Sequence, residues 1–202
     1  MRRVVVLVGV LLLLAGAVFA KEYQSSFGFA ASIPDDWLVL TKKALADNPA
    51  LGDVNGANVG GSLSAERFKE LMGRVEKGSL EVLFSRATSD AAFADNINVI
   101  VRNGQIPVSQ EKLAQACEAF SAKLAKSAGR PLAVAHCESR DVGAFKAVYL
   151  EYEGVVAGTV TMQYQIQRPN NQLLQVTATC KRTSLDKIGA EFGDFVKSIN
   201  FS

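Results

Sequence analysis

One histidine, one tryptophan and three cysteines are spread over 202 residues, and this scarcity excludes much. With His136 as the only imidazole, a histidine-based metal site or acid–base pair has no second member. A structural zinc site needs four ligands, typically with a closely spaced cysteine pair. Cys117, Cys137, Cys180 and His136 are scattered, and no CxxC occurs. The GxSxG elbow of serine hydrolases is absent. The glycine-rich stretch 52–61 lacks Gly-Lys-Ser/Thr, and its glycines do not follow GxGxxG order, so it is not a phosphate loop. Asp53, Asn55 and Asn58 within it resemble a calcium loop, but the glycine is misplaced and no Glu stands at the twelfth position. The stretch reads as a surface loop. No metal and no cofactor is expected.

Charge of one sign is lacking as well. The chain opens Met-Arg-Arg and then runs apolar from Val4 to Phe19, ending Val18-Phe19-Ala20. This is the pattern of a secretory signal peptide over residues 1–20, with cleavage after Ala20. The rival reading, a retained anchor, is disfavoured because the run is shorter than the ~20 residues a spanning helix needs. Cleavage removes two arginines and no acid, which leaves 20 basic side chains against 20 acidic ones. A neutral mature chain lacks the basic field that nucleic-acid binding requires. Polyanions and anionic lipid surfaces are poor partners on the same ground. Residues 21–202 are expected to form a single domain, periplasmic or secreted, with no stable membrane insertion after cleavage.

Export permits a disulfide, and an odd cysteine count leaves one thiol over. Cys117 lies on an expected helix over 110–127, ~15 Å from its end at 1.5 Å per residue. Cys137 lies ~17 Å along the returning strand from 132 at 3.3 Å per residue. The two are at similar height, so Cys117–Cys137 is the preferred bridge. The alternative is three small buried thiols. A His136–Cys137 dyad fails, because adjacent strand residues point to opposite faces. His136 with Cys117 across the helix–strand interface stays open, as the route for a thiol-dependent or hydrolytic enzyme using Cys137 or Cys117. Asp35-Asp36 reads as a turn pair, and Glu151 and Glu153 share a strand face with no perturbing environment visible.

The strongest positive signal lies between Ala144 and Cys180. Strands are expected over 148–152, 159–167 and 173–180. Val160, Met162, Tyr164 and Ile166 alternate with Thr161, Gln163, Gln165 and Gln167. Leu174, Val176, Ala178 and Cys180 alternate with Gln175, Thr177 and Thr179. A two-residue loop at Asn170-Asn171 would split the apolar stripe. An odd-length loop over 169–171 pairs Ile166 with Leu174 and Tyr164 with Val176, and burial of one face selects that register. The sheet then carries one apolar face, which two long amphipathic helices are expected to cover. Its other face carries Gln163, Gln165, Gln167, Gln175, Thr177 and Thr179. That face is the candidate binding surface, for a peptide, a glycan or another copy of the chain; otherwise it faces solvent or lies beneath a helix. Trp37 is either a core anchor or a ligand platform.

Elsewhere Thr41 caps a short helix over 42–48, Ser64 one that ends at Gly78, Ser109 the long helix and Ser184 the last. Strands flank these helices over 27–40, 80–84, 97–101 and 132–138. The fold class is α+β, a layered domain on a mostly antiparallel sheet.

Phe27-Gly28-Phe29 followed by Ile33-Pro34-Asp35-Asp36-Trp37 is similar to the F-x-F-x-x-P-x-x-W opening of PsbP-like domains. The helix, the Gly143 turn, the aromatic meander and the closing Lys197-Ser198-Ile199-Asn200-Phe201 resemble their C-terminal half. The resemblance spans residues 25–201, with the middle loop region least matched. The superfamily includes the extrinsic P subunit of photosystem II, the yeast Ran-binding protein of the same fold and DcrB-type bacterial envelope proteins. It implies an α/β/α sandwich around an antiparallel sheet, used for docking rather than catalysis. Its members bind unrelated partners, and export is incompatible with Ran binding. The resemblance and the leader together imply a non-enzymatic envelope protein whose partner is an envelope protein or peptide.

Overall fold

The computed structural model describes residues 20–52 and 64–201. Residues 1–19 of the expected leader and the stretch holding Asp53, Asn55 and Asn58 lie outside the described residues. The described chain opens with a hairpin of β1 (Ala20–Ser25) and β2 (Phe29–Pro34), which turns at Gly28 with φ 79°, a conformation glycine adopts freely. After the Asp35-Asp36 turn come β3 (Trp37–Leu40) and α1 (Lys42–Asp47), capped by the Thr41 hydroxyl on the Ala44 N–H. Ser64 caps α2 (Ala65–Glu76), which buries Phe68, Met72 and Val75. Strands β4 (Glu81–Ser85) and β5 (Asn96–Asn103) lead to α3 (Gln110–Ala128), capped by Ser109 and ended by Gly129. A meander of β6 (Val134–Val142), β7 (Phe145–Glu153), β8 (Thr159–Arg168) and β9 (Gln172–Lys181) precedes α4 (Leu185–Lys197) and β10 (Asn200–Phe201).

Seven strands form one antiparallel sheet in the order β3-β4-β5-β9-β8-β7-β6, and β1-β2-β10 form a small second sheet. Ile166 pairs with Leu174 and Tyr164 with Val176, across a three-residue turn in which Asn170 and Asn171 have φ of 60° and 56°. Asparagine is among the few residues that adopt this region readily. On the rear face Met162, Tyr164, Ile166, Leu174, Val176, Ala178 and Cys180 pack against Ile188, Phe192 and Phe195 of α4 and against the small sheet. The front face carries α2 over β3 and β4, and α3 over β7. The result is an α/β/α sandwich.

The expectation that both long helices share the apolar face is corrected. Only α4 lies there. Helix α3 packs Leu113, Phe120 and Leu124 on Val148, Leu150 and Tyr152, on the opposite side of the sheet. The reason is that β7 is apolar on both faces: Ala147 and Tyr149 face the rear core, while Val148 and Leu150 face α3. Strands β1 and β10 were not foreseen, since Ala20–Ser25 is polar apart from Tyr23 and β10 is two residues long. Phe27 lies in the β1–β2 turn rather than in a strand. Ser184 sits at the start of α4 without a capping bond; its hydroxyl instead donates to buried Asp95 at 2.5 Å.

The small sheet is fastened to the large one by a buried acid. Glu81 of β4 accepts hydrogen bonds from the Tyr23 hydroxyl, from Ser25 Oγ at 2.6 Å and from the Ser26 N–H at 2.8 Å. Burial and the neighbouring Glu81 hold the Tyr23 hydroxyl far above its ordinary ionisation range, so it stays a donor. Removing the acceptor strands these donors at ~1–3 kcal/mol for each buried one. Glu81→Ala is therefore expected to cost about 3 kcal/mol of stability. It should appear as a lower urea midpoint at unchanged slope. A loss under ~1 kcal/mol would mean the hairpin is held by packing alone.

Candidate functional site

The front face is not fully covered. α2 sits over one end of the sheet and α3 over the other, and the strip between them is polar. A groove of about 510 Å³ opens there, with Asn98 and Ile100 of β5, Gln175 and Thr177 of β9 and Gln163 of β8 on its floor. That volume falls within the range of small-ligand sites, roughly 300–1,000 Å³. Its wall is one stripe of α2: Arg67, Glu70, Leu71 and Arg74, at i, i+3, i+4 and i+7. Leu80 and Tyr152 complete the lining. Tyr152 is held edge-on by Phe120 of α3, ring centroids 5.1 Å apart.

Three of the residues singled out from sequence, Gln163, Gln175 and Thr177, line this groove. Asn98, Thr177 and Gln163 stand in one cross-strand row. The Thr177 hydroxyl donates to Gln163 Oε1 at 3.3 Å, and Gln175 Nε2 donates to Thr177 Oγ1 at 3.4 Å. Gln163 is only 6% exposed, yet its amide N–H groups have no protein partner among the described residues. Among the described residues the fully enclosed unpartnered side-chain atoms are Asp36 Oδ2 and Ser89 Oγ, so the Gln163 amide nitrogen is not sealed from solvent.

The other candidates are placed differently. Gln165 is engaged by Arg102 at 2.8 Å on the next row. Gln167 is spent on structure: Oε1 accepts from the Ile106 N–H at 2.9 Å, and Nε2 donates to the carbonyls of Arg168 and Gln172. Thr179 meets Thr161 at 3.3 Å beyond the groove lining. Trp37 is no ligand platform. It is 1% exposed in the rear core, and its indole N–H donates to Glu191 at 2.9 Å. Burial raises the Glu191 carboxyl above its usual range, against the opposing pull of Trp37 and Lys187. The α2 stripe, Asn98 and Tyr152 were missed. Arg67, Glu70 and Arg74 look from sequence like the solvated side of any amphipathic helix.

The thiol route finds no free partners. Cys117 and Cys137 form a disulfide with a Cα separation of 6.0 Å, tying α3 to β6. His136 is exposed and lies on the rear face beside Tyr149, away from α3. Cys180 is fully buried, and its thiol is pushed up to about 12, first by burial and then by Asp95 and Glu151. Glu151 accepts from the Tyr149 hydroxyl at 2.6 Å, and Glu153 pairs with Arg130 at 3.1 Å. No cluster of three metal-ligating side chains occurs among the described residues. Nor is any described helix long and apolar enough to cross a membrane.

Helix layers on both faces of an antiparallel sheet define the fold, and two solved structures share it over nearly the whole chain. One is the cyanobacterial PsbP (CyanoP) from Synechocystis sp. PCC 6803, with TM-score 0.54, 14% identity, and coverage of 93% of this chain and 95% of that one. The other is the Ran-binding protein Mog1p of Saccharomyces cerevisiae, with TM-score 0.51, 8% identity, and coverage of 92% and 96%. No protein-family profile and no curated protein matches the sequence. The chain has the PsbP-like fold. At these identities the likeness establishes the fold alone.

The cysteine arrangement is open to direct titration. Without reductant the native protein should show no rapidly reacting thiol, and the unfolded protein one, from Cys180. Reduction in denaturant should bring the count to all three cysteines. A fast-reacting thiol in the native oxidised protein would reopen the enzymatic alternative.

Proposed function

We propose that the protein is an exported, non-enzymatic binding or accessory protein of the bacterial cell envelope, and that its partner, an envelope protein or peptide, is seated in the groove between α2 and α3. The observation that carries this reading is Gln163, a nearly buried amide with unspent donors on the floor of an open groove. Solvent reaches those donors in the open groove, and a bound acceptor would take the place of water there. The Cys117–Cys137 bridge suits an oxidising compartment, and the leader pattern supports export. The yeast structural neighbour is named for binding another protein, which fits a docking use of this fold.

Two measurements test this. Mass spectrometry of the protein recovered from its host should find a mature chain beginning at Lys21 in the periplasmic or secreted fraction. An intact leader on a cytoplasmic protein would defeat the claim of export. Separately, immobilised mature protein should capture an envelope component that the double variant Gln163→Leu, Thr177→Val releases at least tenfold more readily, with thermal midpoints alike. Capture indifferent to those substitutions would place the binding surface elsewhere.

A further inference from the structure

The floor of the groove is neutral, but its wall is not. Arg67 and Arg74 line the groove from α2, and both are exposed. Neither forms an ion pair with an acid among the described residues. Glu70 stands between them on the same stripe, likewise without an ion pair among the described residues, so the wall keeps one net positive charge. Seven residues separate the two guanidinium-bearing positions, about 10 Å along the helix axis at 1.5 Å per residue. That spacing accommodates two anionic groups set along a chain.

The floor narrows the choice. Gln163 presents donors, while Asn98 Oδ1 is an acceptor whose own amide donates to Asn96 at 2.9 Å. A peptide backbone supplies both complements. Leu71, Leu80 and Ile100 offer contact for aliphatic stems. Sugar rings commonly stack on an open aromatic face, and the aromatic side chain lining the groove is Tyr152, 9% exposed and edge-on to Phe120. The same lack of stacking surface disfavours single-stranded nucleic acid.

Resting on the reading of this groove as the binding site, we propose that its occupant is an extended acidic peptide segment. Carboxylates about three residues apart would lie along Arg67 and Arg74, and a peptide oxygen would accept from Gln163 Nε2. In the polyproline II conformation positions i and i+3 share one side and lie roughly 9 Å apart, close to the arginine spacing. The neutrality of the mature chain as a whole argued against polyanions. The charge that matters here is local, and a short ligand feels only the field within about a Debye length, roughly 8–10 Å.

The test uses the full mature protein and fluorescence anisotropy with a short labelled peptide carrying glutamate at every third position. Matched peptides carrying glutamine or lysine there, and an oligouronate, are the comparison ligands. The glutamate peptide should bind at least tenfold more tightly than the others and weaken steadily with salt. The surface variant Arg67→Glu, Arg74→Glu should abolish binding, Gln163→Leu should weaken it at least fivefold, and the exposed change Lys197→Glu, on α4 across the sheet, should leave it unchanged. Should Gln163→Leu disturb folding, the arginine reversal alone carries the test, because both positions are exposed. Equal binding of the glutamate and glutamine peptides, or indifference to the arginine reversal, overturns the acidic ligand. Where either of these occurs and Gln163→Leu, Thr177→Val still releases the captured envelope component, the acidic ligand falls while the groove keeps its role. Tighter binding of the oligouronate overturns the peptide in favour of an acidic glycan. Tight glutamate-peptide binding that survives both groove variants overturns the proposal and the groove together.

Discussion

The pairing of Ile166 with Leu174 governs the rest of the structure. It turns Val160, Met162, Tyr164, Ile166, Leu174, Val176, Ala178 and Cys180 to the rear and Gln163, Gln165, Gln175 and Thr177 to the front. A slip of one residue would exchange the faces. The rear core around Phe192 and Phe195 would then meet Gln163 and Thr177, at a few kcal/mol for each unsatisfied polar group. The three-residue turn with two left-handed asparagines is the local device that keeps this register. The burial of the rear stripe is the global force that selects it.

From that sidedness the positions of the helices follow. Helix α4 has the continuous apolar stripe of β8 and β9 to cover and does so, joined by the small sheet that Glu81 fastens in place. The front face offers apolar ground only at its ends: Leu40, Val82 and Phe84 for α2, and Val148, Leu150 and Tyr152 for α3. Each helix goes where hydrocarbon is, and the polar middle is left between them. The disulfide then ties α3 to the edge strand at that spacing. Groove and core are thus two consequences of one alternation pattern.

Much of this was legible in the residues. The alternation over 159–180 carries the register, both faces and three of the groove residues. The matching heights of Cys117 and Cys137 anticipate their bridge. What was not legible depended on contacts distant in sequence. Gln167 and Gln163 look alike in their strand, but Ile106 arrives to occupy one and nothing arrives for the other. The side taken by α3 was encoded in the unbroken apolar run Ala147-Val148-Tyr149-Leu150, which signals a strand buried on both faces. Strand β1 has one buried aromatic in a polar hexapeptide, too little for a pattern. Arg67 and Arg74 belong to a helix face indistinguishable from a solvated one until the sheet beneath it is placed.

The polar strip is also an argument about alternatives. A sheet face that needed only covering would carry branched apolar residues at positions 163, 175 and 177. Each would add roughly 1.5–3 kcal/mol of burial, and α2 and α3 could then close over a continuous apolar surface. Instead the chain keeps amides and a hydroxyl there, with internal bonds that satisfy Gln163 Oε1 but not its N–H groups. Cross-strand bonds among such residues return only ~0.5–1.5 kcal/mol each. On stability alone the apolar solution wins at every one of these positions. A fold that forgoes it leaves the middle of the sheet open between its flanking helices, and that opening is what supports the proposed docking of a second molecule.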